Sequence, residues 1–395
     1  MTDERNESER AAVRGLLRAI TKYLGHDVAP EWESALYAVP RHRFLPDLIW
    51  SADDLTPCRR TDDPAGWWAA AYAENPVVTQ VNDGQETDDD PVPTSSLSDP
   101  SIVLRMLEML ELRPGMKVLE IGTGPGWNCG LLSHRLGSDL VTSIEVDPAV
   151  TARARATLHE LGLSPVVVCG DGNRGWPSGA RYARVIGTCA FRSVPPDLIA
   201  QTEPGGLILL PWDSPWLGWG LLLLTVAEDG SAEGRFHPHS AFMLNRRQRS
   251  GVRLYRDVVR DEHVPQESCT ELPAHDIAED RWDLAFTLGV QLGNVWKAWD
   301  DDPNVDGVAR RLWLATTDTR SWAAVDWAGE GSNGFSVWQH GERRLWDEVA
   351  KAHAWWLDSK EPGPDRFGLT VSTTGDHRYW LDNPENVVRA SDQTS

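Results

Sequence analysis

A glycine-rich turn between an apolar strand and a helix is the feature that most constrains the fold. Residues 118–126 have the sequence VLEIGTGPG, and the flanking patterns predict a strand over 117–121 and a helix over 127–136. Gly122, Gly124 and Gly126 let the backbone turn tightly and approach a ligand. The helix that follows offers free backbone N–H groups at its start. This arrangement indicates an α/β sheet with a ligand at the carboxyl ends of its strands.

Short apolar strands continue to alternate with helices beyond this turn. Further strands are predicted over 140–145, 166–169, 184–188 and 207–211, with a helix over 148–161. A later strand over 221–226 would pair antiparallel at the sheet edge. The alternation predicts a parallel sheet covered on both faces.

Two acidic residues indicate which ligand the turn would take. Glu145 ends the second strand, where a carboxylate can accept hydrogen bonds from ribose hydroxyls. Glu120 precedes the first glycine and would repel a pyrophosphate, and Trp127 stands where a GxGxxG motif has its third glycine. The sulfonium and the ammonium of the amino-acid tail of S-adenosylmethionine are positively charged and suit Glu120. The alternative is a tight turn without a ligand.

A third element of the cofactor site is the pair Asp171-Gly172, which follows the strand over 166–169. Its position at the carboxyl edge of the sheet predicts a contact with the adenine ring. An ordinary Asp-Gly turn is the alternative.

The charge of the chain excludes one class of partner. It has 38 Lys plus Arg against 59 Asp plus Glu, a formal net charge of −21, so nucleic acid is an unsuitable ligand. Residues 51–99 contain eleven acids and only two arginines. If these acids flank the active site, they favour a neutral or basic peptide. The alternative is a solvated loop.

No targeting or metal-binding pattern is evident. The first residues are charged and have no apolar stretch of a secretory signal. The apolar stretch over 205–227 contains prolines and an aspartate, which favours buried strands over a membrane span. Five cysteines without paired spacing indicate reduced thiols, and His237 and His239 have no third ligand nearby. We therefore expect a cytoplasmic protein without a metal site or membrane contact.

The rest of the chain suggests two flanking regions. Helices are predicted over 11–24, 31–38 and 101–112, and polar loops with one short helix over 51–93. After 251, helices at 281–288 and 341–357 mix with strands at 368–373 and 378–381, and this region holds eleven of the 20 tryptophans. We expect an N-terminal helical, substrate-contacting segment (1–110), a Rossmann-like core (111–245) and a C-terminal α+β extension (246–395). The extension would recognise a peptide, or its tryptophans would form a core.

Five segments occur in an order that resembles the protein-L-isoaspartate O-methyltransferases. They are VPRHRFLP (39–46), SLSDPSIVLRML (96–107), VLEIGTGPGWN (118–128), GDGNRGWP (170–177) and VPPDLIAQTEPGGLILLPW (194–212). The resemblance covers about half of the chain. It implies a class I S-adenosylmethionine-dependent methyltransferase fold.

The resemblance also implies roles for individual residues. In the cofactor site, Glu145 would hold the ribose, Asp171 and Gly172 the adenine, and the methionine and sulfonium end would contact Glu120, Gly122, Gly124 and Gly126. The matching serine, Ser98, would bind and activate the substrate carboxylate, although it could also cap the following helix. Ser96 is a further substrate-binding candidate. Arg41 and Arg43 would steer the carboxylate, or they are surface or ion-pairing arginines.

The acidic inserts and the long extension more closely resemble actinobacterial homologues that accompany ribosomally made, modified peptides. That resemblance implies methylation of an Asp in a macrocyclic peptide, after which the ester closes to an aspartimide. Two other hypotheses stay open. One is a general isoaspartate repair enzyme with an appended domain, acting on any peptide or protein that bears isoAsp. The other is a peptide receptor that binds the cofactor without turnover.

Overall fold

The N-terminal part of the chain combines helices with a small antiparallel sheet. The computed structural model describes residues 2–86, 90–238, 240–278, 281–329 and 334–390. The helices are α1 (Thr2–Leu24), α2 (Pro30–Ala38) and α3 (Pro64–Ala71). The strands are β1 (Leu48–Ser51), β2 (Pro57–Arg59), β3 (Val77–Val81) and β4 (Pro93–Leu97), in the order β2-β1-β3-β4.

This small sheet corrects the prediction of loops over 51–93. Strand β3 contains Val77, Val78 and Thr79, which are β-branched residues that favour strands, and all three are buried. The sequence did not predict this short strand, because acidic residues flank it on both sides. Asp88 and Asp89 of the acidic stretch lie outside the described residues.

The central part of the chain forms the parallel α/β sheet that the glycine turn predicts. Its helices are α4 (Pro100–Met109), α5 (Trp127–Leu136), α6 (Pro148–Glu160) and α7 (Pro196–Ala200). Its strands are β5 (Val118–Ile121), β6 (Val141–Glu145), β7 (Val166–Cys169), β8 (Tyr182–Gly187), β9 (Thr202–Pro211), β10 (Leu221–Val226) and β11 (Ala232–His237). Strands β9-β8-β5-β6-β7 are parallel neighbours, and β10 and β11 add to them antiparallel. The predicted fold class is confirmed.

The C-terminal part contributes to two sheets. Strands β12 (Gln266–Thr270), β13 (Val295–Asp300), β14 (Arg310–Thr316), β15 (Trp322–Trp327) and β16 (Phe335–His340) form an antiparallel sheet in the order β12-β16-β15-β14-β13. Helices α8 (Ala274–Ala278), α9 (Trp282–Leu292) and α10 (Leu345–Asp358) share a core with it. Strands β17 (Phe367–Val371), β18 (His377–Leu381) and β19 (Val387–Ala390) then pair in series, and β17 pairs antiparallel with β11.

The main sheet therefore has ten strands and crosses the expected boundary at 245/246. The extension is not wholly a separate unit, because β17 covers the edge that β11 would otherwise expose. Local sequence patterns could not predict this pairing, because the two strands are far apart in sequence. A chain truncated near residue 250 would lack this pairing.

Most tryptophans of the extension pack inside it. Trp346 and Trp356 lie in the core between helices and the five-stranded sheet. Trp313 and Trp322 lie on the opposite face of that sheet, where they pack with Val258. Burial of these large side chains favours the interpretation of a tryptophan core for this part of the extension.

Two kinds of feature are absent from the described residues. No helix there is both long enough and apolar enough to cross a membrane. Nor do three or more His, Cys, Asp or Glu side chains converge there as metal ligands would.

Candidate active site

A cavity of about 310 Å³ lies at the carboxyl ends of strands β5, β6 and β8. One wall is the glycine turn after β5, and another is the end of β4 with the residues that lead into α4. Thr188 and Cys189, which follow β8, form a third part of the lining, and residues 241–249 contribute a fourth. The cavity therefore lies at the edge of the sheet where ligands of such folds bind.

The glycine turn fits a close approach between backbone and ligand. Gly122 and Gly124 line the cavity and have φ values of +97° and +52°. A Cβ on Gly122 would lie 2.9 Å from Thr188 Oγ1. Gly126 has a φ of +102° but does not line the cavity, and a Cβ there would lie 3.2 Å from Ala154 Cβ. The first two glycines shape the ligand wall, whereas Gly126 permits close packing of α5 on α6.

Glu120 is a fully buried acid at the base of this wall. Its carboxylate accepts hydrogen bonds from Asn128 Nδ2 at 2.7 Å and from the Ser143 hydroxyl. Burial raises the pKa of Glu120 to about 7. Asn128 Oδ1 is buried and has no hydrogen-bond partner among the described residues. Both residues line the cavity, so they offer acceptors to a cationic, hydrogen-bond-donating group.

The remaining residues of the predicted cofactor site are Glu145, Asp171 and Gly172, and they differ in whether they line the cavity. Glu145 lines the cavity, and its carboxylate accepts hydrogen bonds from Gly124 N at 2.9 Å and Asp147 N at 3.0 Å. Gly172 also lines the cavity. Asp171 does not: its side chain caps Asn173 N and lies 3.8 Å from Arg247. For Asp171 this geometry matches the alternative of an Asp-Gly turn.

Ser98 and Ser96 both line the cavity. Asp99 is the N-cap of α4, since its side chain accepts hydrogen bonds from Ser101 N and Ile102 N. The Ser98 hydroxyl has no hydrogen-bond partner within the part of the chain that is described. It is thus not used for capping and is available to a ligand.

Arg41 and Arg43 do not line the cavity. Arg41 is 1% exposed, and its guanidinium donates hydrogen bonds to backbone carbonyl oxygens of Ala71, Ala73, Asn75, Leu97 and Ser98. Arg43 is exposed and forms an ion pair with Glu160 at 3.1 Å. Neither guanidinium is placed to meet a carboxylate in the cavity. Arg41 instead fixes the backbone that carries Ser98.

Comparison with known proteins agrees with this architecture. Residues 63–220 match the family model "Protein-L-isoaspartate(D-aspartate) O-methyltransferase (PCMT)". A protein-L-isoaspartate O-methyltransferase of Pyrococcus horikoshii is 38% identical over 159 residues, which are 39% of this chain and 72% of that protein. The chain belongs to the protein-L-isoaspartate O-methyltransferase family. Members of this family are S-adenosylmethionine-dependent carboxyl O-methyltransferases, and the chain is an enzyme of this class.

Two further relatives of the isoaspartate methyltransferase family agree. One from Ignicoccus hospitalis is 39% identical over 207 residues, which are 52% of this chain and 82% of that protein. A solved protein-L-isoaspartate O-methyltransferase superposes with a TM-score of 0.53 at 18% identity, covering 94% of this chain and 100% of that one. This second likeness concerns the fold.

The cavity of this methyltransferase fits S-adenosylmethionine. The two glycines leave room that side chains would fill, and Glu120 and Asn128 present acceptors where a cationic methionine end would lie. Glu145 keeps lone pairs that ribose hydroxyls could use, because each carboxylate oxygen accepts only one backbone hydrogen bond.

Sequence reasoning missed the lining from residues after β11. Arg246 and Arg249 line the cavity, and the segment that carries them lies beyond the part matched by the isoaspartate methyltransferase model. The available signal was a basic run, NRRQR over 245–249, in a strongly acidic chain.

The raised pKa of Glu120 predicts pH-dependent cofactor affinity in this methyltransferase. If the ionised carboxylate attracts the cation, S-adenosylmethionine should bind about eightfold more weakly at pH 6 than at pH 7.5, as expected for a pKa near 7. Isothermal titration calorimetry across this range measures the effect.

Glu120→Gln is the control for this prediction. It should bind the cofactor more weakly, with no pH dependence between 6 and 7.5. Because the folded-state pKa lies above the usual 4.5, the native state loses stability as the pH rises from about 4.5 to about 7. The variant should therefore be no less stable than the wild type at pH 8. An unchanged pH dependence in the variant would contradict the role of Glu120.

Proposed function

We propose that this enzyme methylates the side-chain carboxylate of an Asp or isoAsp residue in a peptide, with S-adenosylmethionine as donor. The observation that carries the proposal is that Ser98, whose hydroxyl has no hydrogen-bond partner among the described residues, lines the same cavity as the glycine turn and Glu120. The glycine turn, Glu120 and Ser98 thus line one cavity, which supports a shared site for cofactor and substrate.

Methyl transfer to a carboxylate requires the protein mainly to align the carboxylate with the methyl group of the cofactor. When bound, S-adenosylmethionine supplies an electrophilic methyl group for in-line displacement. A carboxyl group with a pKa of about 4 is already ionised at neutral pH, so no strong general base is needed. The Ser98 hydroxyl donates to one carboxylate oxygen and leaves the other free to attack. Alignment of this kind contributes about 7–11 kcal/mol of barrier reduction.

We propose further that the substrate is a constrained, ribosomally made peptide, on which the methyl ester closes to an aspartimide. The backbone amide nitrogen that follows the esterified residue would attack the ester carbonyl and release methanol. Support comes from what lies beyond the family match, which ends at residue 220: residues 241–249 enter the cavity, and the C-terminal part adds a second sheet. In this proposal residues 246–395 contribute to peptide recognition, and the enzyme works in the cytosol.

General repair of isoaspartyl proteins is the second candidate. It is favoured by the similarity to relatives named protein-L-isoaspartate O-methyltransferase, at 38% and 39% identity. The two candidates share the cofactor, the reaction and the role of Ser98. They differ in the peptide that is accepted.

Mass spectrometry of two substrates separates these functions. One is a short linear isoaspartyl peptide, and the other is a macrocyclic, ribosomally made precursor peptide, with its Asp→Asn form as control. We expect the precursor to gain one methyl group and then lose methanol, while the linear peptide reacts slowly. Efficient methylation of the linear peptide alone would support repair. Cofactor binding without transfer to either would support a receptor.

A further inference from the structure

Arg249 follows a segment that is firmly attached over the cavity. Asn245 Nδ2 donates to Asn173 Oδ1 at 2.9 Å, and Gln248 Oε1 accepts from Arg192 N at 2.7 Å. Gln248 Nε2 also donates to the Ser193 carbonyl at 3.0 Å. The backbone immediately before Arg249 is therefore fixed against the loops that follow β7 and β8.

Arg246 adds a second attachment, to the small N-terminal sheet and to the start of α6. Its guanidinium lies 3.1 Å from both Asp83 and Asp147, and it donates to Gln80 Oε1 at 2.8 Å and the Thr94 carbonyl at 3.2 Å. With these partners Arg246 is a positioning residue, and it has little capacity left for a ligand.

Arg249 differs from Arg246 in what its guanidinium contacts. One nitrogen, Nη1, lies 3.3 Å from Asp83, and the side chain is 32% exposed. Nε and Nη2 form no hydrogen bond within the described part of the chain. Arg249 lines the same cavity as Cys189, Ser98 and Glu145.

The cavity lining contains more acidic than basic side chains, and this balance affects how the cavity can bind a carboxylate. Glu120, Glu145 and Asp99 are acidic residues that line the cavity, whereas Arg246 and Arg249 are the cationic side chains among its described lining residues. A substrate carboxylate that enters this space meets repulsion from the acids. Because Arg246 is occupied, Arg249 is the guanidinium with donors available to offset that repulsion.

We propose that Arg249 is a specificity-determining residue that binds the carboxylate of the peptide substrate, and that Asp83 competes with the substrate for it. This inference rests on the proposed function and adds to it the residue that selects a carboxylate over a carboxamide. Asp83 belongs to the acidic stretch before β4, so that stretch would tune substrate affinity through a direct ion pair.

Peptide binding tests the inference separately from methyl transfer. Fluorescence anisotropy with S-adenosylhomocysteine present would compare a labelled isoaspartyl or aspartyl peptide with the same peptide bearing a carboxamide. We expect the wild type to prefer the carboxylate at least tenfold and Arg249→Ala to lose this preference. Arg249→Lys should retain part of it. Asp83→Asn should strengthen carboxylate binding about two- to threefold.

Arg260→Ala is the matched control, because Arg260 is exposed, lies further along the chain and does not line the cavity. It should bind both peptides as the wild type does, and cofactor affinity should be unchanged in all variants. A wild type without carboxylate preference, or an Arg249→Ala variant that keeps it, overturns the inference. Absence of methyl transfer despite intact carboxylate preference would instead count against the proposed function.

Discussion

Ser98→Ala should lower kcat for methyl transfer about 100-fold or more, the loss expected when a reacting group is no longer aligned. Ser98 lines the cavity, and Asp99 rather than Ser98 caps helix α4. Without the Ser98 hydroxyl the carboxylate keeps its charge but loses the donor that orients it. Cofactor affinity, measured by calorimetry, should stay within about twofold of wild type, because in the proposed site other residues hold the methionine and ribose ends.

Ser101→Ala is a demanding control for this result. Ser101 lies in the first turn of the same helix, is buried, and its hydroxyl has no partner among the described residues. It does not line the cavity, so kcat should be unchanged. If Ser98→Ala transferred methyl groups within threefold of the wild-type rate, the serine would have no orienting role.

Arg41→Ala should reduce the free energy of unfolding by about 3–5 kcal/mol, as expected when several buried carbonyl acceptors lose a charged donor. Five backbone carbonyl oxygens from two parts of the chain, 71–75 and 97–98, lose their donor, and each buried acceptor left unpaired costs free energy. Since one of the five belongs to Ser98, kcat should fall as well. Urea unfolding measures the first effect, and a methyl-transfer assay measures the second.

Arg43→Ala provides the matched comparison, two residues further along the same turn. Its side chain is 43% exposed and forms one surface ion pair with Glu160, which contributes about 0–1 kcal/mol. Similar stability losses in both variants would show that the carbonyl cluster around Arg41 does not hold the N-terminal segments together.

The predictable part of the fold was the part encoded locally. The glycine turn and the alternation of strands and helices from residue 117 to 226 depend on neighbours in sequence, and they gave the parallel sheet and its ligand edge. The pairing of β17 with β11 depends on residues far apart, and no local pattern specifies it. The small N-terminal sheet was missed because its strands are short and acidic residues flank them.

The candidate site likewise contains residues that sequence motifs predicted and residues that only the folded chain brings together. Glu120, Gly122, Gly124, Glu145, Gly172, Ser96 and Ser98 line one cavity, as their places in the motifs suggested. Arg41 and Arg43 differ in burial, which their spacing could not reveal. Arg246 and Arg249 belong to none of the quoted motifs, so only the folded chain brings them to the cavity.

The pairing of β17 with β11 has a consequence for how the chain is made. Strand β11 ends at His237, and β17 begins at Phe367. At ribosomal rates of about 5–20 residues per second, β17 is synthesised roughly 6–26 s after β11, and the edge of the catalytic sheet is uncovered during this time. An uncovered edge strand invites pairing with other chains. Nascent chains at this stage should therefore depend on chaperones, and slower translation between residues 238 and 366 should lower the yield of native enzyme.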